Sequence, residues 1–421
     1  MCFKETDILL PKFADNPDLM AKWGVIACDQ YTSDRTYWNK VKETVGDNMS
    51  ALNLIFPEIY LEIDTEEQKN NRITNIVENM RKYEKDLVCY KNSVFFIERK
   101  LKSGKKRFGI VGAVDLEEYD YKKDSRLKIR CTEETVTSRI PPRVKIRENA
   151  LFELPHVMIL YNDKDDTLMS NLRKNAGNFT KVYDFKLMRN SGGIKAFNLD
   201  KSNIDFVKNT LGTFEHDNLL FAVGDGNHSL ATAKKCYENL KKTLIKEEYL
   251  NHPARYALAE IVNIYDESLE FEPIYRILFE VDPSDVIENM KKVYDVSENS
   301  PSGKNYQEFN VYYGETSKKI YVNNPQYYLP VKTVQIFLDD YIKKAGGRID
   351  YVHGKSETME FAKQKNSIGF IFSTMQKSEL FPTIEKDGVL PRKTFSMGEA
   401  DDKRFYIECR KIINNSTFAD R

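Results

Sequence analysis

Residues 221–233 constrain the fold of this chain more than any other stretch of its sequence. A short apolar run is followed by two glycines, Gly224 and Gly226, and a helical pattern begins directly after them. Glycine permits backbone conformations that other residues avoid, and the first N–H groups of a helix carry partial positive charge. The pattern therefore predicts a strand, a tight turn and a helix N-terminus, which together form an anion-binding arrangement.

Two titratable residues, Asp225 and His228, stand at this turn. They are the candidate catalytic residues, and the candidate phosphate contacts are Gly224, Gly226, Asn227 and Ser229. A plainer interpretation is that Asp225 or Asn227 caps the helix, because both residue types are favoured at that position. Capping accounts for one polar residue and leaves the rest of the cluster unexplained.

A second segment, residues 130–147, mixes carboxylates, hydroxyls and basic side chains. Either Glu133 or Glu134 has the chemistry of a general base for an attacking hydroxyl. Arginine side chains bind phosphate oxygens in a bidentate manner, and the candidates here are Arg139, Arg143 and Arg147. A solvated charged segment is the alternative interpretation of such a run.

Three further segments carry candidate contacts. Asp29 and Gln30 follow an apolar segment and, with Thr135, are the candidate substrate contacts, although a helix start near Ser33 is the favoured interpretation of that region. The remaining candidate donors to phosphate are Arg276, Arg392 and Lys393. A surface turn is the alternative for residues 391–398.

Composition argues against several classes of protein. Lys and Arg number 64 and Asp and Glu number 64, so the basic excess typical of nucleic-acid-binding proteins is missing. No apolar run approaches the roughly 20 residues that span a bilayer, and the N-terminus lacks the apolar core of a secretory signal. The six cysteines form no CxxC pair, which indicates reduced thiols and a cytoplasmic protein without membrane contact.

The order of predicted elements indicates an α+β fold with mixed sheets, because short strands and helices follow one another without regular βαβ alternation. A helix is predicted for residues 66–89, a hairpin for 93–99 with 107–116, and a helix for 143–151 after a break at Pro141-Pro142. We expect three segments: a mainly helical N-terminal segment (1–92), a catalytic core (93–282) and a C-terminal α+β subdomain (283–421).

The sequence resembles a family catalogued only as a domain of unknown function, family 1015. The resemblance covers nearly the whole chain and is carried by several short motifs. These are Cys28-Asp29-Gln30-Tyr31-Thr32, Leu54-Ile55-Phe56-Pro57-Glu58, Thr132-Glu133-Glu134-Thr135, Pro141-Pro142-Arg143, Gly224-Asp225-Gly226-Asn227-His228-Ser229 and Leu390-Pro391-Arg392-Lys393-Thr394.

The glycine turn also resembles the signature box of the ParB/sulfiredoxin-like fold, which reads Asp-Gly-His-His-Arg in free serine kinases. Asp225, Gly226 and His228 match that box, whereas Asn227 and Ser229 replace its first histidine and its arginine. The resemblance implies a ParB/sulfiredoxin-like catalytic core with N-terminal and C-terminal elaborations, and it aligns Glu133 with the catalytic base. Because the box arginine is absent, Arg143, Arg147 or Arg276 is expected to supply the missing charge.

The function that the resemblance implies is transfer of a phosphoryl group to the hydroxyl of free L-serine, giving O-phosphoserine. The expected donor is ATP, ADP or pyrophosphate, with Mg²⁺ as cofactor; which side chains bind the metal stays open. The Walker loop and the protein-kinase signatures are missing. Two alternatives remain: a phosphotransferase or phosphohydrolase acting on another hydroxylated metabolite, and a ParB-like module that binds nucleotides or nucleic acid.

Overall fold

The structure is a computed structural model that describes residues 2–135, 137, 140–154, 157–216, 218–303, 305–414 and 419–420. The chain divides into two compact units made of discontinuous segments. Unit 1 comprises residues 1–131, 135–269 and 398–421, and unit 2 comprises residues 132–134 and 270–397. The expected division of the chain at 92/93 and 282/283 stays a prediction.

Unit 1 is a mixed α+β structure. Its helices are α1 (Pro17–Trp23), α2 (Arg35–Val45), α3 (Ile59–Ile63), α4 (Glu66–Glu84), α5 (Ile140–Arg147), α6 (Thr167–Asn175), α7 (Lys201–Gly212), α8 (Asn227–Leu240) and α9 (Lys246–Asn251). Its strands up to residue 131 are β1 (Phe3–Lys4), β2 (Thr6–Pro11), β3 (Val25–Ile26), β4 (Leu87–Ser93), β5 (Phe95–Lys100), β6 (Lys106–Asp115), β7 (Tyr119–Asp120) and β8 (Ile129–Cys131). The later strands are β9 (Phe152–Glu153), β10 (Met158–Tyr161), β11 (Thr180–Lys186), β12 (Gly193–Asn198), β13 (Phe221–Asp225) and β14 (Tyr256–Asn263).

The main sheet of unit 1 has the strand order β11-β12-β5-β6-β14-β10-β13-β8-β7, and β1 pairs with β6. Strand β13 runs parallel to β8 and antiparallel to β10. Its residues Phe221, Ala222 and Val223 are fully buried, because both faces of this part of the sheet are covered. The sheet therefore holds rigidly the strand that leads into the glycine turn.

Unit 2 is also α+β. Its helices are α10 (Pro283–Val293), α11 (Pro330–Ala345), α12 (Lys355–Ala362) and α13 (Leu380–Asp387). Its strands are β15 (Phe271–Phe279), β16 (Val296–Ser297), β17 (Tyr306–Tyr313), β18 (Thr316–Asn323), β19 (Arg348–His353), β20 (Ser367–Ile371) and β21 (Phe395–Met397). They form a sheet of order β16-β18-β17-β20-β15-β19, in which β21 also pairs with β15.

The C-terminal residues return to unit 1 as three short strands. These are β22 (Phe405–Tyr406), which pairs with β3, β23 (Arg410–Lys411), which pairs with β9, and β24 (Ala419–Asp420), which pairs with β4. Indole Nε1 of the buried Trp23 donates to the backbone oxygen of Ile407 over 2.8 Å. Strand pairing and this hydrogen bond therefore attach residues 405–411 to unit 1.

Both units confirm the α+β class expected from the sequence. The hairpin of β5 and β6 is confirmed, with antiparallel pairing from Phe95↔Val111 to Lys100↔Lys106. Helix α4 is shorter than predicted because its apolar periodicity continues into β4. It starts at a capping box in which Gln68 N–H donates to the Thr65 hydroxyl and Thr65 N–H donates to the Gln68 side chain.

The expected break at Pro141-Pro142 is wrong. Both prolines lie in the first turn of α5, which begins at Ile140 and ends at Arg147. A proline is tolerated there because the first N–H groups of a helix have no intrahelical acceptor. Among the residues that the structure describes, no helix combines the length and the apolar character that crossing a membrane requires.

Candidate functional site

The glycine turn has the predicted form of strand, turn and helix. Strand β13 ends at Asp225, Gly226 follows with φ 78° and ψ 26°, and α8 begins at Asn227. A Cβ atom at position 226 would lie 3.0 Å from Val157 Cα. Glycine is therefore required here twice, for the left-handed backbone and for the close approach of the neighbouring chain.

Both glycines were expected to adopt backbone conformations that other residues avoid, but only one of them does so. Gly224 is an ordinary residue of β13, and the left-handed conformation belongs to Gly226 alone of the two. Gly226 is also the N-cap, so neither Asp225 nor Asn227 occupies the capping position, and no capping side-chain hydrogen bond is described there. The N-terminus of α8 therefore has no capping side chain, and the positive end of the helix dipole favours an anion at this position.

The other polar groups of the turn are partly enclosed. Asn227, His228 and Ser229 are half-buried, and the buried Oδ1 atom of Asn227 has no hydrogen-bond partner among the described residues. The His228 carbonyl accepts the Thr232 hydroxyl over 2.7 Å inside α8. Because a buried acceptor without a donor is costly, Asn227 is suited to a ligand that brings a donor.

Asp225 is held from two sides. Its Oδ1 atom accepts the Gly226 N–H over 2.9 Å, and its Oδ2 atom lies 3.4 Å from Nζ of Lys403. Both side chains are mostly buried, with 17% and 18% of their surface exposed. The turn therefore combines a carboxylate, a lysine cation and the positive end of α8.

Two buried arginines hold the segment that carries Lys403. Arg99 from β5 donates to the Asp401 carbonyl over 3.0 Å, and Arg107 from β6 donates to the Asp402 carbonyl over 2.9 Å. Burial, with the neighbouring Arg107 cation, lowers the pKa of Arg99 to about 9. These contacts fix the backbone on the N-terminal side of Lys403.

Arg404 anchors the same segment on its C-terminal side. It donates to Glu260 and to Glu408, each over 2.6 Å, and all three side chains are almost completely buried. Burial alone would raise the pKa of Glu260, but the guanidinium groups of Arg404 and Arg107 outweigh it and lower this pKa. Lys403 is therefore positioned by ionic contacts in the protein interior.

The loop that contains Asp29 and Gln30 lies beside this segment. Tyr31 donates to an Asp401 carboxylate oxygen over 2.5 Å, and Ala27 N–H donates to the Arg404 carbonyl over 3.1 Å. The Gln30 amide donates to Asp29 over 3.1 Å. The structure thus places these two candidate substrate contacts next to residues 401–404, in the unit that contains the turn.

Arg143 and Arg147, on α5, both have carboxylate partners. Arg143 forms an ion pair with Glu58, and Arg147 forms one with Glu153 over 2.6 Å. Both arginines line a cavity in unit 1 together with Ser229. Their predicted role as phosphate contacts stays a prediction. Each arginine would have to bind phosphate while its carboxylate partner remains nearby.

In unit 2, Glu133 lies next to the segment 390–394. Leu390 N–H donates to the Thr132 carbonyl over 2.8 Å, and Glu133 pairs with Leu390 in a parallel bridge. The Arg276 cation lies within electrostatic range of Glu133. The acid-rich motif and the Pro391-Arg392-Lys393-Thr394 motif, far apart in sequence, therefore meet within unit 2.

Arg276, a candidate phosphate contact, is enclosed by the protein, and its predicted role stays a prediction. It is fully buried, donates to Gln335 over 2.9 Å, and donates to the carbonyls of Lys393 and Arg392 over 2.9 and 3.1 Å. Burial lowers its pKa to about 10. These contacts occupy the guanidinium with the backbone, so it orders the 392–393 turn and is poorly placed to accept an anion.

Arg392 and Lys393 are exposed. Arg392 donates to the Tyr351 hydroxyl over 3.1 Å, and the two cations lie 5.5 and 5.3 Å from the centre of the Tyr351 ring. The aromatic ring holds both cations near one another by cation–π attraction. They keep the charge and exposure that an anion contact needs.

Two candidate residues remain. Thr135 is buried in unit 1, with its hydroxyl 3.6 Å from Cys131 Sγ, so its surroundings are those of a core residue. Arg139 lies outside the described residues.

Sequence reasoning missed Lys403. The residue stands in an Asp-Asp-Lys-Arg run that resembles any solvated charged segment, and only the return of the chain to unit 1 brings it beside Asp225. The signal in the sequence was the apolar run that follows Lys403, Phe405-Tyr406-Ile407. Such a run indicates that the segment is buried in a hydrophobic core.

Comparison with solved structures finds likenesses with TM-scores of 0.39 or less and identities of 14% or less. Free serine kinase in complex with AMP has a TM-score of 0.39 and 14% identity, over 71% of this chain and 91% of that one. A mutant free serine kinase in complex with ADP has a TM-score of 0.39, 13% identity and the same coverage. SbnI with a C-terminal truncation, from Staphylococcus aureus, has a TM-score of 0.33 and 8% identity, over 73% and 85%.

Sequence comparison is more decisive about the family. No curated protein matches the chain significantly. A family model described as "Protein of unknown function (DUF1015)" matches residues 11–341, which include the glycine turn and the acid-rich motif. By this match over more than half of its length, the chain belongs to the DUF1015 family.

Proposed function

We propose that this protein is a small-molecule kinase that transfers a phosphoryl group to the hydroxyl of free L-serine. The observation that carries the proposal is the glycine turn of unit 1, where the N-terminus of α8, which has no capping side chain, stands with Asp225 and Lys403. Helix N–H groups and a lysine cation are a suitable cradle for phosphate oxygens. The match of Asp225, Gly226 and His228 to the box of free serine kinases supports the same chemistry.

In the proposed reaction the serine hydroxyl oxygen attacks the terminal phosphorus of the donor. The bond from phosphorus to the bridging oxygen breaks, and the leaving group is ADP, AMP or phosphate when the donor is ATP, ADP or pyrophosphate respectively. The hydroxyl proton passes to a carboxylate, for which Glu133 is the candidate. The turn contributes by holding the donor and by spreading the negative charge that develops in the transition state.

Magnesium is part of the proposal. Among the described residues no three His, Cys, Asp or Glu side chains come together as a metal site. A magnesium ion held mainly by phosphate oxygens needs only one or two protein carboxylates, and Asp225 offers one at the turn. Bound there, Mg²⁺ would neutralise charge on the donor phosphates.

The direct test is to incubate the protein with L-serine, Mg²⁺ and each donor in turn, and to measure O-phosphoserine. Product with at least one donor is expected. Consumption of the donor without O-phosphoserine, in the presence of serine, would identify a phosphohydrolase or another acceptor. Absence of O-phosphoserine with all three donors would refute the proposal that the protein is a serine kinase.

The base assignment has its own test, in which Glu134 serves as the matched control. Glu133→Gln is expected to lower kcat by about 10²- to 10⁴-fold, the usual contribution of a general base. Glu134→Gln, one residue away and exposed, is expected to leave kcat nearly unchanged. The reverse pattern would make Glu134 the base.

A further inference from the structure

Unit 1 contains a cavity of about 140 Å³ beside the first turns of α8. Ser229 and Thr232 line it on the α8 side, and Arg143 lines it from α5 together with its partner Glu58. Much of the remaining wall is apolar and includes Leu54, Phe56, Leu61, Met80, Ile146 and Phe152. Ligand sites commonly have this composition, with an apolar wall and a few convergent polar groups.

The size of the cavity limits its ligand. Sites for drug-sized molecules usually enclose about 300–1,000 Å³. The cavity volume of about 140 Å³ lies below this range. An amino acid suits this space, whereas a nucleotide is too large for it.

The two ion pairs at the cavity differ in their surroundings. Glu153 is almost fully buried, and besides Arg147 it accepts Arg410 over 2.8 Å and Leu258 N–H over 2.9 Å. This carboxylate is saturated by the protein and belongs to the wall. Glu58 is more accessible than Glu153, with 15% of its side chain exposed against 6%, and its partner Arg143 is 17% exposed.

We propose that the cavity binds its ligand as an α-amino acid zwitterion, with the ligand ammonium on Glu58 and the ligand carboxylate on Arg143. The proposal rests on the proposed function and names the acceptor subsite of that reaction. Glu58 and Arg143 form one pair of opposite charges inside a mostly apolar wall. A zwitterion inserted between them gives each protein charge a new partner, so that no buried charge is left unpaired.

The same geometry accounts for the position of the reacting hydroxyl. Ser229 and Thr232 belong to the first two turns of α8, and α8 begins at the glycine turn proposed to hold the donor. A short hydroxylated side chain that points from the zwitterion site toward Ser229 would approach that turn. The small volume excludes amino acids with large side chains.

The experiment measures binding to the full-length protein by calorimetry, without a phosphoryl donor. The probes are L-serine, ethanolamine, which lacks the carboxylate, and D-glycerate, which lacks the ammonium. L-serine is expected to bind at least about 10-fold more tightly than either probe, because each probe lacks one of the two charged groups that the site would bind. Equal affinity for all three, or no binding of L-serine at tens of millimolar, would overturn the proposal.

Two substitutions make the charge assignment specific. Glu58→Gln is expected to weaken L-serine binding about 10- to 100-fold and to leave D-glycerate binding nearly unchanged. Arg143→Met is expected to weaken L-serine binding similarly and to leave ethanolamine binding nearly unchanged, and Arg143→Lys is expected to recover part of the loss. Lys145→Gln, at an exposed position of the same helix, is the matched control and is expected to bind like the original protein.

Parallel loss of all three ligands in both variants, with the fold intact by circular dichroism, would indicate a structural role for the pair and overturn the assignment. Failure of the subsite and failure of the proposed function are distinguishable. O-phosphoserine formation with L-serine affinity unchanged in Glu58→Gln would refute the subsite alone. Charge-dependent serine binding without product from any donor would refute the kinase and leave the subsite standing.

Discussion

The Nζ atom of Lys403 lies 3.4 Å from the Oδ2 atom of Asp225, at the end of the strand that leads into the glycine turn. The lysine belongs to a segment whose backbone is held by Arg99 and Arg107 and whose next residue, Arg404, is tied to two buried carboxylates. This arrangement places a fixed cation beside Asp225 in a chain whose turn has Ser229 in place of the arginine of the box.

We expect Lys403 to contribute to donor binding by its charge. Lys403→Met should weaken the binding of pyrophosphate, used as the probe, about 10- to 100-fold, because charge-assisted hydrogen bonds contribute about 1.5–3 kcal/mol. Lys403→Arg should keep most of the affinity. Calorimetry measures both, with Lys181→Met as a control at an exposed site of unit 1. An unchanged dissociation constant for Lys403→Met would show that the lysine only balances Asp225.

Gly226 is expected to be intolerant of a side chain. Gly226→Ala should lower the free energy of unfolding by about 1–3 kcal/mol, because alanine is strained at φ 78° and its Cβ would press against Val157. Gly212→Ala, at the end of α7 with open space around it, should be neutral or slightly stabilising. Urea unfolding compares the two variants, and an equal effect of both would contradict the requirement at position 226.

Arg404 is expected to be essential for the stability of unit 1. Arg404→Met leaves Glu260 and Glu408 buried without their common partner, and removal of one member of a buried ionic group costs about 3–5 kcal/mol. The control is Arg173→Met, which breaks a much more exposed pair with Asp166 and should cost about 0–1 kcal/mol. Denaturant unfolding gives both values, and a loss below about 1 kcal/mol for Arg404→Met would be inconsistent with the buried network.

Glu153 should make the stability of the protein depend on pH in the acidic range. Burial, the largest single influence, acts to raise its pKa, but the cations of Arg147 and Arg410 outweigh burial and place the pKa below the usual 4.5. Because the unfolded chain then binds a proton more readily than the folded one, this stabilisation is complete above about pH 4.5 and is lost as the pH falls through the folded-state pKa.

Unfolding experiments between pH 7 and pH 3 check this expectation. The difference in unfolding free energy between the original protein and Glu153→Gln should be largest near neutral pH and should shrink below about pH 4.5. A difference that stays constant over this range would show that the carboxylate does not carry its charge in the folded state.

Cys28, which lines the cavity of unit 1, should be a poorly reactive thiol. Burial, followed by the nearby carboxylates of Asp29 and Glu58, raises its pKa to about 12. At pH 8 its thiolate fraction is then on the order of 10³-fold below that of an unperturbed cysteine. Iodoacetamide labelling followed by mass spectrometry should find Cys28 largely unmodified in the folded protein and modified in urea. Rapid labelling of the folded protein would contradict the raised pKa.

Local patterns in the sequence were sufficient for several elements of the structure. The turn chemistry around Gly226, the alternation that produces the β5–β6 hairpin and the periodicity of α4 depend on neighbouring residues, so the printed sequence predicts them. The error at Pro141-Pro142 has the same local origin, because a proline pair interrupts a helix in its interior but begins one in its first turn.

The partners of charged side chains could not be predicted from the residues that neighbour them in the sequence. The residues next to Arg276 in the sequence do not indicate that Gln335 and the carbonyls of Arg392 and Lys393 would enclose it. The sequence therefore suggested an anion contact at a position where the structure has a buried guanidinium bonded to the protein. Arg143 and Arg147 likewise acquire carboxylate partners, Glu58 and Glu153, that only the folding of unit 1 supplies.

By itself the sequence determined the α+β class, the family and the strand–glycine–helix turn, because each depends on residue types at fixed short spacings. Tertiary structure alone decided that Lys403 stands beside Asp225, that Arg276 is internal, and that Glu58 and Arg143 face one cavity. Such contacts join segments far apart in the chain, and the burial of the apolar core, which no local pattern specifies, brings them together.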